Sequence, residues 1–162
     1  MKKILNISII IYIFVLPVKS QTKRDMAINN FEISITSYYF GRKDKIININ
    51  VDKVFYEKNK AVNIKQYAKG ETRINKETKH KIINFLTENH IESFKSSYSN
   101  PKVKDGTVIS FSLKVNNVVK EIFVANYYIN ELGELVKIIN NSVPNGYLIS
   151  YKKNCCRETI AK

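Results

Sequence analysis

The sequence predicts an α+β domain, an antiparallel sheet of about five to six strands with two helices packed on one face. Apolar and polar residues alternate along 31–37, 47–56 and 109–124, a period of two that is typical of strands with one buried face. Residues 76–89 and 131–141 instead carry apolar side chains at helical spacing. The predicted order is β-hairpins, helix, β-hairpin, helix, all within one domain that spans residues 21–151.

The hairpin at residues 105–124 is the clearest element. Asn116-Asn117 separates its two alternating runs, and asparagine tolerates the positive φ that a two-residue turn requires. This turn predicts that the strands pair Val115 with Val118, Phe111 with Ile122 and Ile109 with Val124. The same register puts Lys120 opposite Leu113, so the lysine has to extend out of the core along its aliphatic stem.

The first half of the chain contains further strand patterns. Residues 31–37 form a first strand, and we expect a loop at 38–45 because Gly41 and a run of charges interrupt the alternation. Residues 47–56 read as a second hairpin that turns at Asp52-Lys53. A possible strand at 61–68 ends near Gly70.

Two helices are predicted with asparagine caps. Asn75 is the expected N-cap of the helix at 76–89, and Asn130 that of the helix at 131–141. Gly133 costs the second helix about 1 kcal/mol relative to alanine, which indicates close packing there or a frayed first turn. Pro144 ends this helix, and residues 147–151 are expected to add a short edge strand.

The N-terminus has the pattern of a secretory signal peptide at residues 1–20. Lys2 and Lys3 precede an apolar run at 4–16, and Val18-Lys19-Ser20 offers small residues for cleavage. A retained anchor is the alternative, although a spanning helix needs roughly 20 apolar residues. No cysteine lies near the cleavage site, so we expect an exported protein, periplasmic or secreted, without a lipid anchor.

The chain is strongly basic. It has a net charge of +13, and loss of the three lysines in residues 1–20, which contain no acidic residue, leaves +10. Such a charge is compatible with an anionic envelope polymer, nucleic acid or an acidic protein as partner. Export makes nucleic acid the weaker prediction. The alternative is a solvated surface, because the lysines are scattered in a sequence rich in Lys, Asn and Ile.

The only cysteines, Cys155 and Cys156, are adjacent in a predicted flexible basic tail at residues 152–162. Adjacent cysteines bridge each other only through a strained ring, so free or intermolecularly oxidised thiols are the expectation. A redox role is the less favoured alternative, since only Arg157 is near enough in sequence to lower a thiol pKa.

Three stretches resemble a family of uncharacterised domains of unknown function found on exported bacterial proteins and common in the Bacteroidota. They are residues 33–56, with Thr36, Phe40-Gly41 and Phe55-Tyr56; residues 70–86; and residues 98–124, with Asp105. The resemblance implies the fold and export but no activity. The family often has a Cys-Phe-Gly-x-Cys-Pro loop, whose cysteines and proline are replaced here by Tyr39, Lys43 and Asp44. No property of that loop therefore carries over.

No catalytic motif is apparent. His80 and His90 lie outside any His-Glu-x-x-His spacing and are expected to be solvated, and neither a Gly-x-Ser-x-Gly elbow nor a phosphate-binding glycine loop is present. We therefore expect neither a metal nor a cofactor, and an enzyme is the less favoured prediction.

Two surface features are candidate sites. One joins aromatic residues expected in loops just outside strand ends to nearby cations: Tyr38, Tyr39, Phe40, Tyr127 and Tyr128 with Arg42, Lys43 and Lys45. These aromatic residues could instead cover the open end of the sheet. The other is an anion site at the first helix N-terminus, formed by Arg73, Lys76 and Lys79, with a solvated face as its alternative.

The predicted function is a non-catalytic exported binding domain. Its target is expected to be a protein partner or an anionic envelope component, and blocking of a partner, as by an immunity or inhibitor protein, is one form of this function. The alternative is a small periplasmic hydrolase, whose site would have to arise from residues distant in sequence.

Overall fold

The computed structural model describes residues 28–61, 64–103 and 106–153, without the side chains of 60, 61 and 64–67. These residues form seven strands and two helices, with a one-turn 3-10 helix at Ile91–Ser93 and another at Asn145–Tyr147. The strands are β1 (Phe31–Tyr39), β2 (Arg42–Asn50), β3 (Lys53–Ala61), β4 (Ile64–Arg73), β5 (Ser97–Ser99), β6 (Val108–Val115) and β7 (Val118–Ala125); the helices are α1 (Lys76–Glu88) and α2 (Asn130–Asn140).

One sheet contains all seven strands, in the order β4-β3-β2-β1-β6-β7-β5. Every neighbouring pair is antiparallel except β5 and β7, which are parallel. The α+β class is confirmed. The predicted five to six strands are too few, because the three-residue β5 is too short to show an alternation in the sequence.

The β6–β7 hairpin has the predicted register. Val115 pairs with Val118, Phe111 with Ile122 and Ile109 with Val124, while Lys120 lies opposite Leu113. Asn116 has a φ of 51°, in the left-handed region that a tight turn requires. The turn residues and the alternation together were sufficient to predict this register.

The predicted loop at residues 38–45 is wrong. β1 continues to Tyr39 and β2 begins at Arg42, so that only Phe40-Gly41 turns the chain. Tyr38 pairs with Lys43 across an irregularity that follows Ser37. This irregularity adds one residue to β2 and changes the phase of the alternation, which explains why the sequence pattern breaks where the strand does not.

The core lies on one face of the sheet. Ile35 of β1 is flanked by Ile47 of β2 and by Phe111 of β6, and all three are buried. The helices bury side chains in the same cluster, including Ile82, Phe85 and Leu86 from α1 and Leu132, Leu135, Val136 and Ile139 from α2. The sheet residues of opposite parity form its outer face.

The helix caps differ from each other. Asn75 caps α1, because its Oδ1 atom accepts a hydrogen bond of 2.7 Å from the Thr78 amide. The cap predicted at Asn130 is wrong: Asn130 is the first residue of α2, and Ile129 is the N-cap without a side-chain cap bond. Gly133 is closely packed, since a Cβ atom there would lie 2.0 Å from the Tyr128 hydroxyl oxygen.

The edge strand predicted at residues 147–151 is not formed. Residues 148–152 have no regular structure, although Ile149 and Tyr151 are buried in the core. Their backbone is anchored by Asn140 instead, whose side chain donates to the Ile149 carbonyl at 2.9 Å and accepts from its amide at 3.0 Å. An alternating pattern here reflects burial of a segment that lies on the core without joining the sheet.

Several sequence-based predictions fall outside the described residues. They are the signal peptide at 1–20, the part of the basic tail from residue 154 onward, Cys155 and Cys156, and the turn residue Asp105. No helix in the described part of the chain combines the length and apolar character needed to cross a membrane.

Candidate functional site

The tip of the β1–β2 hairpin combines backbone strain with exposed aromatic side chains. Phe40 and Gly41 have φ angles of 48° and 72°, so both central residues of the turn have positive φ, as in a type I′ turn. Asparagine, aspartate and glycine suit such positions, whereas a bulky side chain there is an outlier. A residue held in this region costs on the order of 1–3 kcal/mol.

The Phe40 side chain receives little compensation from packing. It is 82% exposed, and its neighbour Tyr39 is 58% exposed. The two rings contact each other edge to face, with centroids 4.5 Å apart and planes at 72°. The turn therefore presents two large rings to solvent at a position where folding alone favours a small polar residue.

Tyr38 connects this tip to the outer face of the sheet. It lies within β1 and is half-buried, and its hydroxyl is 3.4 Å from the Ser110 hydroxyl on β6. The predicted loop position of Tyr38 and Tyr39 is thus corrected, because both belong to the strand. Their side chains are positioned by the β1 ladder instead of by a mobile connection.

A groove runs from the tip across the outer face at this end of the sheet. It is open to solvent and has a volume of about 540 Å³. Aromatic rings line it on both sides, while glycines and a valine leave room between them: Tyr38, Tyr39, Phe40, Gly41, Gly106, Val108 and Phe123. The hairpin tip and the groove together form what we call the tip surface.

The predicted aromatic pair Tyr127-Tyr128 is divided by the structure. Tyr127 is 45% exposed and stacks on Tyr98, with ring centroids 5.9 Å apart. Tyr128 is half-buried against the core, where its ring lies 4.8 Å from that of Tyr151. Neither tyrosine lines the groove. Tyr128 therefore contributes to packing, and Tyr127 lies on the surface beyond the end of β7.

The predicted basic residues are also divided. Arg42 and Lys43 begin β2 and are exposed next to the tip. Lys45 is half-buried, and its Nζ atom donates a hydrogen bond of 2.7 Å to the Leu148 carbonyl. Arg42 and Lys43 thus give the tip surface a positive margin, while Lys45 secures the segment that follows α2.

At the predicted anion site, a bonded backbone amide and an acidic side chain offset part of the positive charge. Arg73 ends β4 and Lys76 begins α1, but the Thr78 amide is already bonded to Asn75. Glu77 lies in the first turn and accepts a hydrogen bond of 2.6 Å from Lys81. This hydrogen bond lowers the pKa of the Glu77 carboxyl below its usual range, and the positive charge of Lys81 makes a smaller contribution in the same direction. Lys79 is half-buried on the same helix.

The described residues contain no group of three or more His, Cys, Asp or Glu side chains placed to hold a metal ion. His80 and His90 are both exposed. No family model matches the chain, and no curated protein matches it either. The resemblance to the exported bacterial domain family therefore stays a prediction.

Sequence reasoning missed Phe123, which forms one wall of the groove. Phe123 and Val119 occupy outer-face positions of β7 and are 45% and 59% exposed. In the predicted register, both residues fall on the face that should be polar. A large aromatic residue at a position predicted to be polar, Phe123, was the available signal for the groove.

Proposed function

We propose that this chain is an exported, non-catalytic binding domain that recognises a protein partner through the tip surface. The observation that carries the proposal is Phe40, a strained residue whose ring is 82% exposed. Backbone strain that folding does not need is a feature of ligand-contacting segments. Contact with a partner supplies the missing reason for a phenylalanine at this turn.

The shape of the tip favours a partner with a concave contact site. A turn of two residues projects the Phe40 and Tyr39 rings together, and aromatic anchors that fill pockets dominate the energy of many protein interfaces. Arg42 and Lys43 flank these rings, so the matching pocket should have an acidic margin. The adjoining groove accommodates a side chain or loop of the partner between Tyr38 and Phe123.

A protein fits the tip surface better than an anionic polymer does. Apolar side chains dominate the groove. The Tyr38 hydroxyl lies within hydrogen-bond distance of the Ser110 hydroxyl, so this polar group already has a partner within the chain. A charged polymer is typically held by several cations arranged along its length. The tip offers Arg42 and Lys43 at one margin, which suits the rim of a protein interface.

The decisive experiment is capture of a partner from an envelope extract of the producing cells. The chain should retain one protein in stoichiometric amount, and the double substitution Tyr39→Ser with Phe40→Ser should abolish its retention. Both rings are largely exposed, so the melting temperature of the double variant should stay within a few degrees of the original.

Val119→Ser is the matched control, because Val119 is an exposed apolar residue at the opposite end of the outer face, beside the β6–β7 turn. This variant should retain the partner. Equal retention by the double variant and the original chain would refute the proposal, as would a large drop in melting temperature, which would assign the two rings to the core.

A further inference from the structure

The two edges of the sheet are unequal. β4 is the longest strand, with ten residues, and within the described part of the chain it pairs only with β3. β5, at the other edge, has three residues. A long edge strand leaves alternate backbone N–H and C=O groups available to another strand, whereas a very short edge strand limits such pairing. β4 is therefore the edge that is able to extend the sheet.

Charges alternate in sign along the outer face of β4. Lys69, Glu71 and Arg73 are all exposed and belong to this face, where Glu71 pairs with Phe55 of β3. Gly70 lies between the first two and belongs to the opposite face. The Tyr56 ring covers it so closely that a Cβ atom would lie 2.6 Å from the ring. No side chain therefore projects from the strand at that point.

The charges and the length of the regular strand together favour one antiparallel register for two copies of β4. Residues directly opposite each other in an antiparallel pair project to the same face of the sheet. A two-fold axis that relates two identical strands therefore lies between a residue and the same residue of the second copy. An axis at Gly70 places Lys69 opposite Glu71 of the second copy, and the symmetry repeats that pair. An axis at Lys69 or at Glu71 would instead place like charges opposite each other, which is destabilising. An axis at Ala68 or Thr72 would also place Glu71 opposite a basic residue, but it would overlap only three residues of the regular part of β4 at 67–73, whereas the axis at Gly70 overlaps all seven.

We propose that the β4 edge is a self-association surface, on which two copies of the chain join their β4 strands antiparallel about Gly70. The two sheets then form one continuous sheet. The main-chain hydrogen bonds hold the strands together, and the two Lys69–Glu71 pairs set the register. The tip surface lies at the end of β1 and takes no part in this contact.

Charge reversal tests the register. Sedimentation of the full chain at about 100 µM, a concentration at which a micromolar interface is populated, should give a dimer. Lys69→Glu or Glu71→Lys alone places like charges opposite each other twice, and each should weaken dimerisation by about 10- to 30-fold. The double substitution exchanges the two charges and should restore the affinity to within about 3-fold of the original.

Melting temperatures provide the control for folding, since Lys69 and Glu71 are exposed and the ion pair of Glu71 with Lys53, at 3.2 Å, is a surface pair. Amide hydrogen exchange gives an independent readout: protection at residues 68–73 should rise with protein concentration, and protection in β5 should not. A chain that stays monomeric, or a dimer that is indifferent to both single reversals, would overturn the proposal.

Discussion

At the scale of single residues, Phe40 has an unfavourable positive φ, and its exposed ring gains little packing in return. Asparagine accepts its positive φ more readily, and Asn-Gly is a favoured type I′ pair. Phe40→Asn should therefore raise the stability by about 1 kcal/mol, which corresponds to an increase in melting temperature of about 3–5 °C. The measurement is thermal unfolding followed by circular dichroism.

Phe40→Ala is the control for this prediction, because it removes the ring but keeps a Cβ atom at the same φ. It should not show the increase. If the asparagine and alanine variants both have the melting temperature of the original chain, the turn stores no strain that a substitution can relieve. In that case backbone strain at Phe40 gives no support for a binding role.

Gly133 gives a second prediction at this scale. Glycine-to-alanine changes inside helices usually stabilise, but a Cβ atom here would lie 2.0 Å from the Tyr128 hydroxyl and 2.5 Å from its ring. Tyr128 is held against Tyr151, so Gly133→Ala should destabilise the fold by about 1–3 kcal/mol in urea unfolding. Gly146→Ala meets nothing within 4 Å and should change stability by less than about 0.5 kcal/mol.

At the scale of elements, the two helices differ at their N-termini. Asn75 forms a side-chain cap hydrogen bond in α1, whereas Asn130 of α2 matches the sequence pattern of a cap without forming one. Asn75→Ala removes the 2.7 Å bond to the Thr78 amide and should cost about 1 kcal/mol. Asn130→Ala removes no cap bond from α2 and should stay within about 0.5 kcal/mol. Equal losses in chemical unfolding would contradict the distinction.

The strands show which local signals determine an element. The β6–β7 hairpin follows from its alternation and from Asn116, because the turn and both strands are local in sequence. The β1–β2 hairpin was missed because its irregularity beside Ser37 disrupts the alternation. The segment at 148–152 was assigned to a strand because burial of Ile149 and Tyr151 produces the same alternation without strand pairing.

At the scale of the whole molecule, the pairing of β1 with β6 joins strands β1 to β4 to the β6–β7 hairpin. β1 lies between β2 and β6, so the first of the described strands is in the middle of the sheet. Ile35 is completely buried there, flanked by Ile47 and Phe111. Such a contact between distant segments has no signature in a local pattern of apolar residues.

The candidate site depends on the same long-range pairing. Tyr38, Tyr39, Phe40, Arg42 and Lys43 were predicted from their types and proximity in sequence, and they do lie together. Phe123 joins them only because β1 pairs with β6 and β6 with β7, which places this residue at the same end of the sheet. Tyr128, in contrast, was separated from the surface by its packing on Tyr151.

The amino-acid sequence by itself determined the fold class, both helices and the register of the β6–β7 hairpin. These features follow from side-chain periodicity and turn chemistry, which act over a few residues. Only the tertiary structure decided the order of the strands, the groove beside Phe40 and the position of the long strand β4 at an edge of the described sheet. They arise from pairing between segments far apart in the chain, where burial on a shared face selects one arrangement among many compatible with the local pattern.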